Sequence, residues 1–169
     1  MSPAGPVRLR PLREGDLLLL HRWYQSPELW DHLAGEFEPR PEAEALAYMR
    51  RWLRPTPEEV RLGIEAGGRL VGMTALCPID PGAGVAEFHI LLGEPGSRGQ
   101  GIGRQATQAM LEHGFSALGL RRIELKVLET NAAARRIYDL CGFRPVGEAT
   151  AVKSGHPAAL IVMAARPAD

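Results

Sequence analysis

Five glycines fall within the twelve residues Gly93-Glu94-Pro95-Gly96-Ser97-Arg98-Gly99-Gln100-Gly101-Ile102-Gly103-Arg104. The run Val85–Leu92 reads as a strand before them, and Ile102, Ala106, Ala109, Met110 and Ala117 recur at helical spacing after them. The chain must therefore pass from a strand through a glycine turn straight into a helix. Such a junction brings several backbone N–H groups and the positive end of a helix into one small volume, where a phosphate fits. Gly99, Gly101 and Gly103 remove side chains that would block close approach, and Arg98 and Arg104 add positive charge at the rim. A flexible loop ending in a glycine-rich cap is the plainer reading of the same residues. A Walker loop is excluded, because it needs a lysine and none occurs before Lys126. A dinucleotide fingerprint fits poorly: the spacing is GxGxG, and it follows an antiparallel meander instead of a first strand.

Pattern alone orders the remaining elements. Val7 to Arg10 alternates and stops at Pro11, and Glu14-Gly15-Asp16 offers an N-cap to a helix carrying Leu17, Leu20, His21 and Tyr24 on one face. A second helix is expected from Pro41 to Leu53, with acidic residues early and arginines late. Val60 to Ala66 and Leu70 to Ile79 form a hairpin about Gly67-Gly68, and Val85 to Leu92 continues the meander. A helix from Ile102 toward Gly119, a strand from Ile123 to Leu128, a helix capped by Asn131 and ended by Gly142, and two strands about Lys153 to His156 complete the order. A mixed α/β (α+β) chain of 169 residues with no interior linker is expected to be one domain, residues 1–169. The helix–strand–helix passage demands at least one parallel crossover.

Composition narrows the function. Acidic and basic residues number 20 each, which argues against nucleic-acid and membrane-surface partners. The balance is uneven along the chain: residues 98–144 carry eight basic and four acidic side chains, and residues 1–97 carry ten basic and fourteen acidic. An anionic ligand on one side and a cationic one on the other would suit that division, as would scattered solvated charge. Cys77 and Cys141, each in an apolar setting without ligand spacing, are expected to be buried free thiols, and no metal site is expected. The first residues reach no apolar core before their arginines, so no secretory signal is expected and the cytoplasm follows.

At Arg98-Gly99-Gln100-Gly101-Ile102-Gly103 the chain resembles the GNAT superfamily of acetyl-CoA-dependent N-acetyltransferases, whose pyrophosphate loop reads Arg or Gln, two residues, Gly, one residue, Gly or Ala. Asn131, Ala134, Tyr138, Gly142 and Phe143 reproduce that family's second pattern, N-x-x-A-x-x-x-Y-x-x-x-G-F, at the family's separation. The likeness is nearest to the ribosomal-protein N-terminal and polyamine acetyltransferase-like branch, and the opening Leu9 to Asp16 shares it. The resemblance implies a GNAT-like domain with a mixed, mostly antiparallel sheet of about seven strands and helices on both faces. It implies acetyl-CoA as cosubstrate and no metal. The cofactor would meet Ile90, Leu91 and Leu92, the loop residues Arg98, Gly99, Gln100, Gly101, Ile102, Gly103 and Arg104, and Asn131 and Arg135.

The resemblance casts Tyr138 as the general acid for the coenzyme A sulfur, although an aromatic core residue would show the same spacing. Asn131 also reads as a plain helix cap. Glu87 interrupts an apolar strand, so it either faces a polar cleft as a base or pairs with an arginine. His89 shares its face of the strand and reads more readily as an ordinary satisfied histidine. In relatives the first two helices form the acceptor wall, here Trp23, Tyr24, Trp30, His32 and Phe37 with Asp31, Glu36 and Glu38 nearby. Aromatics beside carboxylates suit a cationic amine or a peptide N-terminus, and they equally suit core packing with a solvated rim. The implied activity is acetyl transfer to a primary amine such as a protein N-terminus, a polyamine, an aminoglycoside or another small amine, by direct transfer in a ternary complex. A silent acyl-CoA-binding sensor is the competing reading, and a homodimer is left open.

Overall fold

The computed structural model describes residues 5–31, 33–35 and 38–168. Seven strands form a single sheet in the order β1-β2-β3-β4-β5-β7-β6. They are β1 (Val7–Pro11), β2 (Val60–Ala66), β3 (Arg69–Asp80), β4 (Val85–Leu92), β5 (Arg122–Leu128), β6 (Arg144–Lys153) and β7 (His156–Ala165). Every neighbouring pair is antiparallel except β4 and β5, which are parallel. That one exception is the crossover expected around the helix following the glycine loop.

Helices cover both faces, as the resemblance implied. On one face α4 (Ile102–Glu112) and α5 (Ala132–Leu140) lie over β3, β4 and β5, where Met110 and Leu111 pack with Leu76, Phe88, Ile123, Leu125 and Phe143. On the other, α1 (Leu17–Tyr24), α2 (Pro27–Trp30) and α3 (Glu42–Met49) bury Leu17, Leu20, Trp23, Leu29 and Met49 against Met73 and Leu91. A helix of eight residues is too short to hold its shape alone in water, so α1 exists because burial of Leu17 and Leu20, about 2 kcal/mol each, offsets its ordering.

Three expectations are adjusted by packing. The helix expected from Pro41 to Leu53 begins one residue later, with Pro41 at its N-cap, and tightens into a 3-10 turn over Arg50–Leu53. The helix after the glycine loop ends at Glu112 and widens into a π-helical turn, His113–Ala117. Within that turn Gly114 lies flat on the sheet, where a Cβ would come within 2.7 Å of the Ile123 side chain. Both thiols are half-buried instead of buried, because Cys77 sits where the β3–β4 register shifts and Cys141 at the C-cap of α5.

Asp16 does not cap α1 with its side chain. Its carboxylate takes two hydrogen bonds from the Arg10 guanidinium, at 2.8 and 3.0 Å, and one from the Arg13 N–H at 2.8 Å. Arg10 Nε also binds Glu65, and all three side chains are at most 13% exposed. The Arg10 hydrogen bond, working against desolvation and joined by the Arg13 N–H, holds the Asp16 carboxyl below its ordinary range. Among the described residues no helix is long and apolar enough to cross a membrane.

Candidate active site

The sheet opens at its parallel pair. β4 and β5 are paired only from Val85–Arg122 to Glu87–Glu124, whereas β4 continues beside β3 as far as Leu92, and β5 beside β7 as far as Leu128. From Phe88 onward a wedge therefore separates two strands that should be neighbours, leaving backbone groups along β4 without a strand partner.

The glycine loop and the start of α4 follow the end of β4. Gly101 is the N-cap of α4 with φ +78, and no side chain caps that end. The leading N–H groups of Ile102, Gly103 and Arg104 have no intrahelical partner, and their dipole favours negative charge. Gly99 also has a positive φ, +76. A Cβ on Gly99 would meet nothing within 4 Å, so its requirement is conformational; open space lies above the loop. Ile102 itself is buried in the core with Ala106, leaving only its backbone to face a ligand. Gly103 lies between Leu92 and Ile137, and Arg98, Gln100 and Arg104 are exposed along the rim. An uncapped helix end, a glycine-lined approach and an open wedge fit the diphosphate and the extended thiol arm of acetyl-CoA.

On the α4–α5 face, Tyr138 stands beside the wedge. Its ring meets Phe88 edge-on at 6.1 Å and Phe143 at 5.8 Å, which is the packing reading of this residue. Burial, with Cys141 nearby, pushes its hydroxyl up to about 12. Asn131 caps α5, accepting from the Ala134 N–H at 3.2 Å. The Arg135 guanidinium turns back to the Glu129 carbonyl at 3.1 Å. Ile90 and Leu92 point toward α4, whereas Leu91 joins the core under α1 to α3.

The opposite face of β4 carries Glu87, His89 and Leu91. Glu87 sits at the last paired position before the wedge, with its side chain 28% exposed. It makes no arginine pair among the described residues: its neighbour Glu124 binds Arg122 at 2.7 Å, and Glu87 instead lies 3.8 Å from His89 Nε2. That His89 nitrogen is also 2.9 Å from the Cys77 carbonyl. His89, Ile90 and Leu91 line a cavity of about 300 Å³ with Tyr24, Trp30, Leu33, Arg61 and Met73.

Sequence reasoning ranked His89 as ordinary and did not single out Arg61. Register brings them together, since Arg61 pairs with Ala75 and Ala75 with His89, placing all three in one row across the sheet. Tyr24 and Trp30 line this cavity, Trp23 lies in the core beneath, and Glu38 lines an adjoining cavity of about 240 Å³. His32, Glu36 and Phe37 lie outside the described residues. Several acidic side chains of residues 1–97 pair with arginines of the same segment, Asp16 and Glu65 with Arg10, Glu59 with Arg61, Glu14 with Arg50 and Glu94 with Arg69, so these pairs leave most of the segment's excess in place. Among the described residues no group of three or more His, Cys, Asp or Glu is arranged to hold a metal.

A splayed parallel pair with an anion-binding helix end on one side, and a separate aromatic cavity on the other, define a protein built to bring two substrates together. Residues 7–144 match the family described as the acetyltransferase (GNAT) domain, and the chain belongs to that family. It is similar to the spermidine N(1)-acetyltransferase of Escherichia coli (strain K12), 27% identical over 159 residues that cover 88% of this chain and 78% of the relative. An N-acetyltransferase 9-like protein of Nematostella vectensis is 27% identical over 158 residues, 87% of this chain and 79% of its own. In fold the chain resembles the Vibrio cholerae spermidine N-acetyltransferase solved in complex with CoA and spermine, with a TM-score of 0.86 at 24% identity over 95% of each chain. The protein is an acetyl-CoA-dependent N-acetyltransferase that moves an acetyl group to an amine, and a catalytically silent role is not favoured.

Proposed function

We propose that transfer is direct, within a ternary complex, with Tyr138 as general acid and Glu87 as the acceptor-side base. The observation that supports this most is the position of the wedge, which has Tyr138 on one flank and Glu87 and His89 on the other. Acetyl-CoA supplies an activated thioester carbonyl. The amine nitrogen attacks that carbon, the C–S bond breaks, and the Tyr138 proton passes to the departing sulfur. The proton lost by the amine goes to Glu87 through a water, beside His89. A hydroxyl pushed up to about 12 stays protonated at neutral pH, as an acid must. Burial raises the thiols of both Cys77, with Glu59 adding to it, and Cys141, which supports direct transfer over a cysteine-bound acetyl intermediate.

In this reading Arg98 to Arg104 receive the diphosphate, Ile90 to Leu92 receive the thiol arm, and Asn131 and Arg135 flank it. Gly101→Val forces a β-branched residue into the left-handed region and puts a side chain at the loop surface. Calorimetry should find acetyl-CoA binding weaker by about tenfold or more, and unchanged affinity would remove the loop from the site.

The acceptor is a primary amine. The spermidine acetyltransferases among its relatives support a polyamine, and cytoplasmic residence follows from the same reading. Free-thiol release measured over polyamines, peptide N-termini, aminoglycosides and amino acids identifies the class. Glu87→Gln keeps the shape and deletes the base, so the rising limb of kcat/KM with pH should change while the melting temperature does not. Repeating the profile with an acceptor of lower amine pKa separates the enzyme's limb from the substrate's: a limb that follows only the acceptor counts against Glu87.

A further inference from the structure

The chain contains eighteen arginines and two lysines, and one of those lysines occupies a position that an arginine could not fill. Lys153 is the last residue of β6, held at the tip of the β6–β7 hairpin by its pairing with His156 across the turn at Ser154 and Gly155. Its half-buried side chain reaches residues that line the aromatic cavity. There Nζ donates to three carbonyl oxygens, those of Trp30, of Leu33 at 2.6 Å and of Gly35 at 2.6 Å. An ammonium has three donors around one point, and all three are used; a guanidinium spreads its donors over a planar fork and cannot meet three converging carbonyls.

Trp30, Leu33 and Gly35 line the same cavity as His89 and Leu91. Residues 33–35 belong to no helix or strand. Lys153 joins this irregular wall to a hairpin about 120 residues away in sequence, using charge-assisted hydrogen bonds, which are stronger than neutral ones. The contact does not involve the glycine loop or the wedge, so it bears on one substrate only.

We propose that Lys153 is a positioning residue for the acceptor amine: its ammonium fastens the Trp30–Gly35 wall in the shape that receives the acceptor, and it has no part in binding acetyl-CoA. This rests on the cavity being the acceptor site. Lys153→Met removes the three donors and keeps the length of the chain, whereas Lys153→Arg keeps the charge and loses the geometry. Both variants should raise the acceptor KM by about tenfold, with acetyl-CoA affinity within about twofold of the parent enzyme. Ammonium ion, which fits the three-carbonyl cradle, should partly restore the acceptor KM of Lys153→Met and leave the parent unaffected. An unchanged acceptor KM in Lys153→Met, or an equal loss of acetyl-CoA affinity, would overturn the proposal; parent-like behaviour of Lys153→Arg would overturn its geometric part.

Chymotryptic cleavage after Trp30 reads the wall without any activity. Faster cleavage in Lys153→Met with a parent-like acceptor KM means that the clamp exists and the cavity is not the acceptor site, which separates failure of this proposal from failure of the transferase mechanism. Unchanged cleavage in Lys153→Met overturns the clamp itself.

Discussion

Tyr138→Phe is expected to lower kcat by about 10²–10⁴-fold while leaving acetyl-CoA affinity close to that of the parent enzyme. The variant loses one hydroxyl and keeps the ring that packs against Phe88 and Phe143, so the core around it should survive. Stopped-time assays for turnover and calorimetry for binding make the comparison. A kcat within a factor of a few of the parent would leave Tyr138 as a packing residue and move the acid elsewhere. The raised hydroxyl adds a second expectation: with burial holding it at about 12, no falling limb from this group should appear in the kcat profile between neutral pH and about pH 10. The sign for stability follows from the same shift. The neutral form is favoured by folding, so its contribution is complete below the ordinary tyrosine value near 10 and is lost as pH rises from there through about 12.

Arg10→Met should be the most destabilising single change outside the apolar core, by about 3–5 kcal/mol, because it leaves the Asp16 carboxylate, 13% exposed, without its cation and Glu65, 11% exposed, with only the solvent-exposed Arg8 at 3.4 Å. Thermal melts should fall by roughly 10 °C for a domain of this size. Part of the loss should return in the triple change Arg10→Met, Asp16→Asn, Glu65→Gln, which removes the stranded charges as well. Asp16 fixes the pH dependence. Its carboxyl is lowered by Arg10, so its contribution is present above the ordinary carboxylate value near 4 and disappears as pH falls through its lower folded value. The stability gap between parent and variant should therefore narrow in acid, and a gap that stays constant from pH 7 to pH 3 would mean that the pair is inert.

The readings that the structure bears out rest on local physics. The strand, the glycine turn and α4 follow from alternation, from positions that need a positive φ, and from helical spacing, all within some twenty-five residues of chain. Asn131 as the cap of α5 and Gly142 beyond its end follow from which side chains satisfy helix termini. Even the parallel crossover was legible, since a helix between two strands of one sheet cannot be a hairpin. What local pattern left open depends on the folded arrangement. Asp16 looked like a side-chain cap for α1, but its carboxylate is taken by Arg10 of β1, which Glu65 of β2 holds from the other side. The β2–β3–β4 register aligns His89 with Arg61, and both line the aromatic cavity. The acidic excess of residues 1–97 is a correct count, but which of those carboxylates pair with arginines is known only from the folded arrangement.

By itself the sequence determined the order and kind of the elements, the glycine junction into α4 and the residues that flank it, because each of these is set by neighbours a few positions away. Only the tertiary structure decided that β4 and β5 part after Glu87, that Tyr138 and His89 lie on opposite faces beside that opening, and that Lys153 reaches the carbonyls of Trp30, Leu33 and Gly35. Those facts depend on strand register and on contacts spanning as many as about 120 residues, and no local pattern of side chains encodes where a strand stops pairing or what a long side chain will find at its end.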